Sequence, residues 1–396
     1  MTSIAASVDF GQKARRKDMS GFIHGISTTN APRNEIISRL RPAIWRTQAG
    51  SGGLFTRLDG IDEDMVKIVV CSDAVGAYPI LPADDTTFAT TCASLATYHA
   101  GQNVIFDILN EPDYVGNYNG TANEAYATFK AGYDAIRGVL GPNAIIMGPS
   151  CATYNNTFIT GFLDYCEDNY LNVQALAWHE FVDSDPSVIP THVSTIRTAL
   201  ETRPNVGVKK IYIPEHTRDT SWMYPGDCLN YLYYLAEADV DGACRACWNN
   251  VATTNTCFDN SLTNLVDSAT GDPHAVYYAY EWYAEIKRAQ VKCTSGNSYL
   301  AVMASACPTE VLIGFGNSAT ATVDVPLTLD NLGAVGLIDA SINIDIYKVG
   351  TTGETIVNAP DFVETKELSV SDGTASTTLY EVNAHELYKV VLRAST

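Results

Sequence analysis

The sequence runs to 396 residues, too many for one small core and suited to a barrel of about 250–300 residues with a smaller domain beside it. Its 45 acidic and 25 basic residues leave a formal charge of −20, which argues against a nucleic-acid partner, since phosphate backbones are bound by clustered Lys and Arg. No apolar run reaches the ~18 residues of a membrane-spanning helix, so no membrane partner is expected.

In chain order, Ala5–Phe10 alternates apolar and polar residues and reads as a strand. From about Met19 to Lys287, apolar strand-like runs alternate with helix-period segments, the pattern of repeated βα units. Strands are predicted near Gly21–Ile26, Ala43–Arg46, Lys67–Cys71 and Asn103–Leu109, then near Ala144–Gly148, Ala175–Trp178, Lys210–Pro214 and Gly242–Trp248. Helical spacing marks Phe88–His99, Ala122–Val139, Ile159–Asn169, Val188–Glu201, Gly226–Ala238 and His274–Lys287. The first two units are the least regular, with only a short helix in Asn30–Leu40 and many Gly and Asp in Gly50–Asp64. Eight strands with intervening helices predict a closed (β/α)8 barrel over residues 11–290. From about Tyr299 the texture changes to short alternating runs such as Val311–Phe315, Ala321–Val325, Ile342–Tyr347 and Leu387–Leu392, split by Gly, Asn and Asp. This predicts an antiparallel β-sandwich over residues 291–396, joined by the N-terminal strand within residues 1–10.

Ten cysteines are many for a cytosolic enzyme and favour several disulfides and a secreted, periplasmic or extracellular chain. Cys293 and Cys307 bracket a short Gly-Asn turn region and are the pair most readily bridged. Cys244 and Cys247 cannot share a metal if they lie on a strand, because residues three apart face opposite sides, and no second pair completes a zinc site. The opening Met1–Ser7 lacks the basic start and apolar core of a signal peptide. Asn119-Gly-Thr and Asn155-Asn-Thr match the N-glycosylation pattern.

Two of the predicted strands end in a carboxylate. Val104–Asp113 is an apolar run that stops at Asn110-Glu111-Pro112-Asp113, and Lys210–Glu215 does the same at Pro214-Glu215. In an eight-stranded barrel, chemistry sits at the C-terminal strand ends, and two facing carboxylates are the minimum apparatus for cleaving a glycosidic bond.

With these motifs at the fourth and seventh strands, the chain resembles clan A glycoside hydrolases, family 39 and its relatives most of all. The likeness extends through Gly148-Pro-Ser150, Trp178-His179-Glu180 and Gly242–Trp248, and so covers most of Met19–Lys287. The resemblance implies a TIM barrel, a carbohydrate substrate, no cofactor or metal, and retention of configuration by double displacement. Glu111 is then the acid/base and Glu215 the nucleophile, with carboxyl groups about 5–5.5 Å apart and Glu111 held protonated by its charged neighbour.

Around this pair, Asn110 matches the residue that donates to the sugar 2-hydroxyl, and Arg46 the arginine beneath the nucleophile. His179 matches a histidine beside the substrate. Trp248 matches a stacking floor for the sugar, with a cis peptide implied between Trp248 and Asn249. His24, within the first predicted strand, is placed with the substrate-binding residues. His216 and Arg218 follow the nucleophile and offer a basic spot for a uronate or sulfate. Relatives often carry a tyrosine near the nucleophile where this chain has Phe181, leaving Tyr154 or Tyr224 as substitutes. An esterase is the poorer reading of Gly148-Pro-Ser-Cys-Ala152, because the last position of the elbow is Ala and no Asp and His follow in the required order. A catalytically inactive carbohydrate-binding barrel is the alternative function. Sugar identity, linkage and oligomeric state are open in the sequence.

Overall fold

The computed structural model describes residues 2–14, 17–27, 29–48, 52–82, 85–181, 185–217, 221–246, 260–307 and 310–395. The chain opens with two strands, β1 (Thr2–Ser3) and β2 (Ala6–Lys13), that belong to the C-terminal sheet. It then enters the barrel through β3 (Gly21–Ile23), β4 (Ile44–Gln48), β5 (Val66–Val70) and β6 (Val104–Asp107). The barrel continues through β7 (Ile145–Cys151), β8 (Ala175–Trp178), β9 (Lys210–His216) and β10 (Gly242–Arg245), and closes by pairing β10 with β3. Around it run α1 (Asn34–Leu40), α2 (Gly52–Asp59), α3 (Asp85–Tyr98), α4 (Ala122–Leu140), α5 (Asn156–Asp168), α6 (Ile189–Glu201), α7 (Pro225–Glu237) and α8 (Tyr277–Ile286).

All neighbouring barrel strands are parallel, so one face carries every strand's C-terminal end. The interior is filled by Ile23, Ile44, Ile68, Ile105, Met147 and Tyr212, with small Ala and Cys residues beside them. Branched side chains of this kind make the barrel a packed core rather than a pore. Local signals fix the helices that follow the site. Thr121 caps α4 through a reciprocal capping box with Glu124, and Asn155 caps α5 by accepting from the Phe158 N–H.

The C-terminal part consists of β11 (Gln290–Ser295), β12 (Leu300–Cys307), β13 (Glu310–Asn317), β14 (Val323–Asp330), β15 (Ser341–Val349), β16 (Asp361–Ser369), β17 (Ala375–Val382) and β18 (Leu387–Ala394). With β1 and β2 these form a ten-stranded, mostly antiparallel sheet that curls as a sandwich around its own apolar core. Strand β2 pairs antiparallel with β11 and parallel with β14.

The sheet docks on α7 through two glycines. A Cβ added at Gly226 would lie 2.5 Å from the Glu386 carbonyl, and one at Gly316 would lie 2.5 Å from the Gly226 carbonyl. The Gly226 N–H donates to the His385 carbonyl at 2.9 Å, and His385 Nδ1 meets the buried carboxylate of Asp227 at 2.8 Å. Helix α7 directly follows the Glu215 strand, so the sheet braces the element behind the site.

The disulfide expectation is not met. Cys293 and Cys307 are thiols, as are Cys71, Cys92, Cys151, Cys166, Cys228 and Cys244, and no bridge occurs among the described residues. Seven of these eight are buried, where Cys behaves as a small apolar residue, so the cysteine count no longer argues for an oxidising compartment. Cys247 lies outside the described residues.

Replacing Gly226 with Ala drives a methyl group into backbone carbonyls that cannot rotate away. Urea unfolding of this variant is expected to show a loss of about 1–3 kcal/mol, the usual cost of overpacking a tight contact.

Candidate active site

The site is built from strand ends on one face of the barrel. Arg46 near the end of β4 is 2 % exposed, and its guanidinium reaches three partners at once. Nε and Nη2 donate to Asp107 Oδ2 at 2.9 and 2.7 Å, Nη1 donates to Glu215 Oε1 at 2.6 Å, and Nη2 donates to Asn110 Oδ1 at 2.7 Å. Burial works against the Arg46 charge, but Asp107, Glu215 and Asp73 outweigh it and hold its pKa above the ordinary value. Asp107 is fully buried, and its other oxygen accepts from Ser150 Oγ at 2.6 Å. The Ser150 hydroxyl is therefore engaged in holding a carboxylate, a role at odds with the nucleophile of an esterase.

Arg46 can only donate, so it fixes the Asn110 amide with its oxygen inward and leaves the Nδ2 donors for another partner. Glu111 adopts φ +51, in the left-handed region, and its N–H donates to the Ser150 carbonyl at 2.9 Å. A non-glycine residue in that conformation carries strain of a kind that concentrates at functional sites. Ser150, at φ +56, shares it.

His179, just after β8, is fully buried between the two glutamates. Its Nδ1 lies 3.0 Å from Glu111 Oε1 and its Nε2 lies 3.8 Å from Glu215 Oε1. Asn117 Nδ2 donates to Glu111 Oε2 at 2.9 Å, and the segment carrying Asn117 is tied to the preceding βα loop by backbone bonds between Ile80 and residues 117 and 119. Burial pushes the Glu111 carboxyl up, but the hydrogen bond and charge of His179, then Arg46 and Asn117, outweigh it and hold it below the usual range. This corrects the expectation that Glu111 stands protonated in the free protein.

One donor atom each from Glu111, His179 and Glu215 lie within 4.8 Å of one another, a spacing a cation can use. Glu111 Oε1 already shares a hydrogen bond with His179 Nδ1, and Glu215 Oε1 accepts one from Arg46.

His24 sits beside Arg46, and its backbone N–H donates to the Arg46 carbonyl at 3.1 Å. Burial and the Arg46 charge lower its pKa to about 3, so it is neutral. His216 does not join the group. It is buried and stacked on Tyr231 of α7, with ring centroids 5.7 Å apart, because the side chain after Glu215 turns outward from the barrel toward the helix layer. Burial and then the charge of Arg245 lower its pKa to about 3, which removes it as a cation for an acidic sugar.

Tyr154 stacks on His192 at 3.9 Å and Tyr224 packs on His385, so neither is directed to Glu215 by these contacts. Phe181 meets His179 edge to face at 5.6 Å. Arg218 and Trp248, with the expected cis peptide at Trp248–Asn249, lie outside the described residues.

The residues the sequence reading missed are Asp107, Ser150, Asn117 and Asp73. Asp107 had a usable signal, since a carboxylate inside the apolar run Val104–Leu109 must find a partner.

Among solved structures, N2152 from Neocallimastix frontalis is similar over 100% of both chains, at 21% identity and a TM-score of 0.84. A glucosidase from Croceicoccus marinus is similar over 100% of both chains, at 11% identity and a TM-score of 0.74. The GH39 enzyme from Xanthomonas axonopodis pv. citri is similar over 99% of this chain and 97% of that one, at 12% identity and a TM-score of 0.68. No family model matches the sequence, and the curated proteins give no match. The fold shared with these structures is a closed eight-stranded parallel barrel with an attached curled, mostly antiparallel sheet.

Arg46→Leu leaves the buried Asp107 carboxylate without its counter-ion and is expected to cost about 3–5 kcal/mol in denaturant unfolding. Adding Asp107→Asn to that variant recovers part of the loss, and strictly additive costs would show that the two residues are not coupled.

Proposed function

We propose that this protein is a retaining O-glycoside hydrolase that cleaves a polysaccharide or oligosaccharide, with Glu215 as nucleophile and Glu111 as acid/base. The observation that carries this reading is the carboxylate pair on β9 and just past β6, whose oxygens approach within 4.8 Å. Retaining enzymes hold the two groups about 5–5.5 Å apart, whereas inverting enzymes leave about 6.5–9.5 Å for a water. The glucosidase and GH39 neighbours support the same class.

Arg46 holds Glu215 Oε1, which leaves Oε2 to attack the anomeric carbon. Asn110 presents its amide donors beside Glu215, where a bond to a ring hydroxyl strengthens as positive charge develops on the sugar. The leaving oxygen takes its proton from the Glu111–His179 pair, in which a proton on Nδ1 is one 3.0 Å transfer from Glu111 Oε1. When the glycosyl ester forms, the Glu215 charge disappears. Glu111 is then the carboxylate that draws a proton from water, and the partners that hold its pKa down suit that second step.

Glu215→Ala abolishes turnover of aryl glycosides, and external azide restores it with a glycosyl azide of inverted anomeric configuration as product. Glu111→Ala slows substrates with poor leaving groups far more than those with good ones. If neither pattern appears while wild type is active, the two roles are wrongly assigned.

Asn117→Ala removes a donor from the Glu111 carboxylate and so favours its protonated form. The sign is upward: the alkaline limb of the kcat/KM profile, which reports loss of the acid's proton, moves to higher pH. An unmoved or lowered limb would take Asn117 out of the tuning of Glu111.

A further inference from the structure

Asp73 lies in a short turn, Ser72–Val75, that follows β5 at the barrel end carrying Glu111 and Glu215. The Tyr78 hydroxyl donates to Asp73 Oδ1 at 2.6 Å and lies 2.8 Å from Ser72 Oγ. Ser72 Oγ in turn accepts from the Asn110 N–H at 3.0 Å, so the turn is fixed to the residue that Arg46 orients. Asp73 is only partly buried. Among the described residues its Oδ1 is engaged by Tyr78, while no hydrogen bond reaches Oδ2.

This position disfavours a lone carboxylate. Burial raises the Asp73 carboxyl, the Tyr78 bond and Arg46 lower it, and the nearby negative charges of Glu215 and Asp107 raise it again. A donor arriving at Oδ2 relieves that situation, and sugar hydroxyls are donors. The carboxylate of a uronate, or a sulfate group, brings only acceptors and more negative charge. Among the described residues it would meet four acids, Asp73, Asp107, Glu111 and Glu215, with Arg46 already engaged on three sides. His216, the residue expected to help hold an anion, is neutral and turned toward α7.

We infer that Asp73 determines specificity: its Oδ2 accepts a ring hydroxyl of the sugar bound beside Glu215, and the site thereby selects neutral sugars over uronates. This rests on the carbohydrate-processing reading above, and it goes beyond that reading in naming the residue and the sugar class.

The test uses Asp73→Asn, which keeps the shape and the Oδ1 bond to Tyr78 but replaces the accepting oxygen with a donor. The probes are thioglycosides of xylose and glucose, their monodeoxy analogues and the thioglucuronide, measured by calorimetry, with turnover of the matching 4-nitrophenyl glycosides followed in parallel. The variant is expected to bind the preferred neutral sugar about 10–100-fold more weakly, the range for losing a hydrogen bond to a charged group. For the one analogue lacking the contacted hydroxyl, variant and wild type bind alike, and the variant's preference for neutral sugar over uronide shrinks. An equal loss for the parent sugar and every deoxy analogue overturns the inference and makes Asp73 a positioning residue. Failure of wild type to bind any neutral sugar overturns it as well. The expected binding pattern without turnover upholds Asp73 while removing the hydrolase reading, so the two fail separately.

Discussion

A buried guanidinium is the constraint on which the rest of this site is arranged. Arg46 reaches from β4 to Asp107 on β6, to Asn110 just beyond it and to Glu215 on β9, joining three parts of the barrel that are distant in sequence. A cation taken out of water tolerates burial only with paired charge and well-made hydrogen bonds. Its presence therefore dictates a fully buried aspartate, and that aspartate dictates the Ser150 hydroxyl that completes its acceptors. The same fork decides which oxygen of Glu215 is held and which way the Asn110 amide points. Glu215 is not simply placed at a strand end; its orientation is inherited from a charge whose own burial leaves little choice.

His179 adds a second layer of control by standing between two acids of the same sign. One of its nitrogens meets Glu111 and the other faces Glu215, so it links the two acids directly. The sequence reading assigned a proton to Glu111 because two nearby carboxylates push one pKa up. The structure inserts a base and an amide donor at the acid itself, and those local bonds outweigh repulsion across several ångströms.

The parts legible in the sequence were those written as runs. Eight apolar segments ending in polar residues marked the barrel strands, and Asn110-Glu111 and Pro214-Glu215 stood out because charge ends each run abruptly. Arg46 was visible for the same reason. Asp107 was hidden by its neighbours, since a single acid within Val104–Leu109 looks like a flaw in an apolar strand until its partner on another strand is known. His216 was misplaced by a parity error: the reading carried it into the mouth along with Glu215, whereas the strand sends it outward to Tyr231. The cysteines misled because their number suggested disulfides, while the eight described are unbridged and all but Cys307 are buried. Asn117 and Asp73 lie in loops whose sequence offers no periodicity, and they reach the site through backbone bonds and a tyrosine hydroxyl that no spacing rule anticipates.

The pairing of β2 with β11 and β14 has a consequence for how the chain is made. Strand β2 emerges from the ribosome well before its partners, which begin only at Gln290 and Val323. At about 5–20 residues per second, the interval between Lys13 and Gln290 is roughly 15–55 s. Throughout that time a strand with apolar Ala6, Val8 and Phe10 on one face has nothing native to pair with, while the barrel between can assemble on its own parallel ladder. Synthesis thus leaves an open edge on β2 that only the later strands β11 and β14 can cover, and order of birth and order of assembly run opposite ways at this seam.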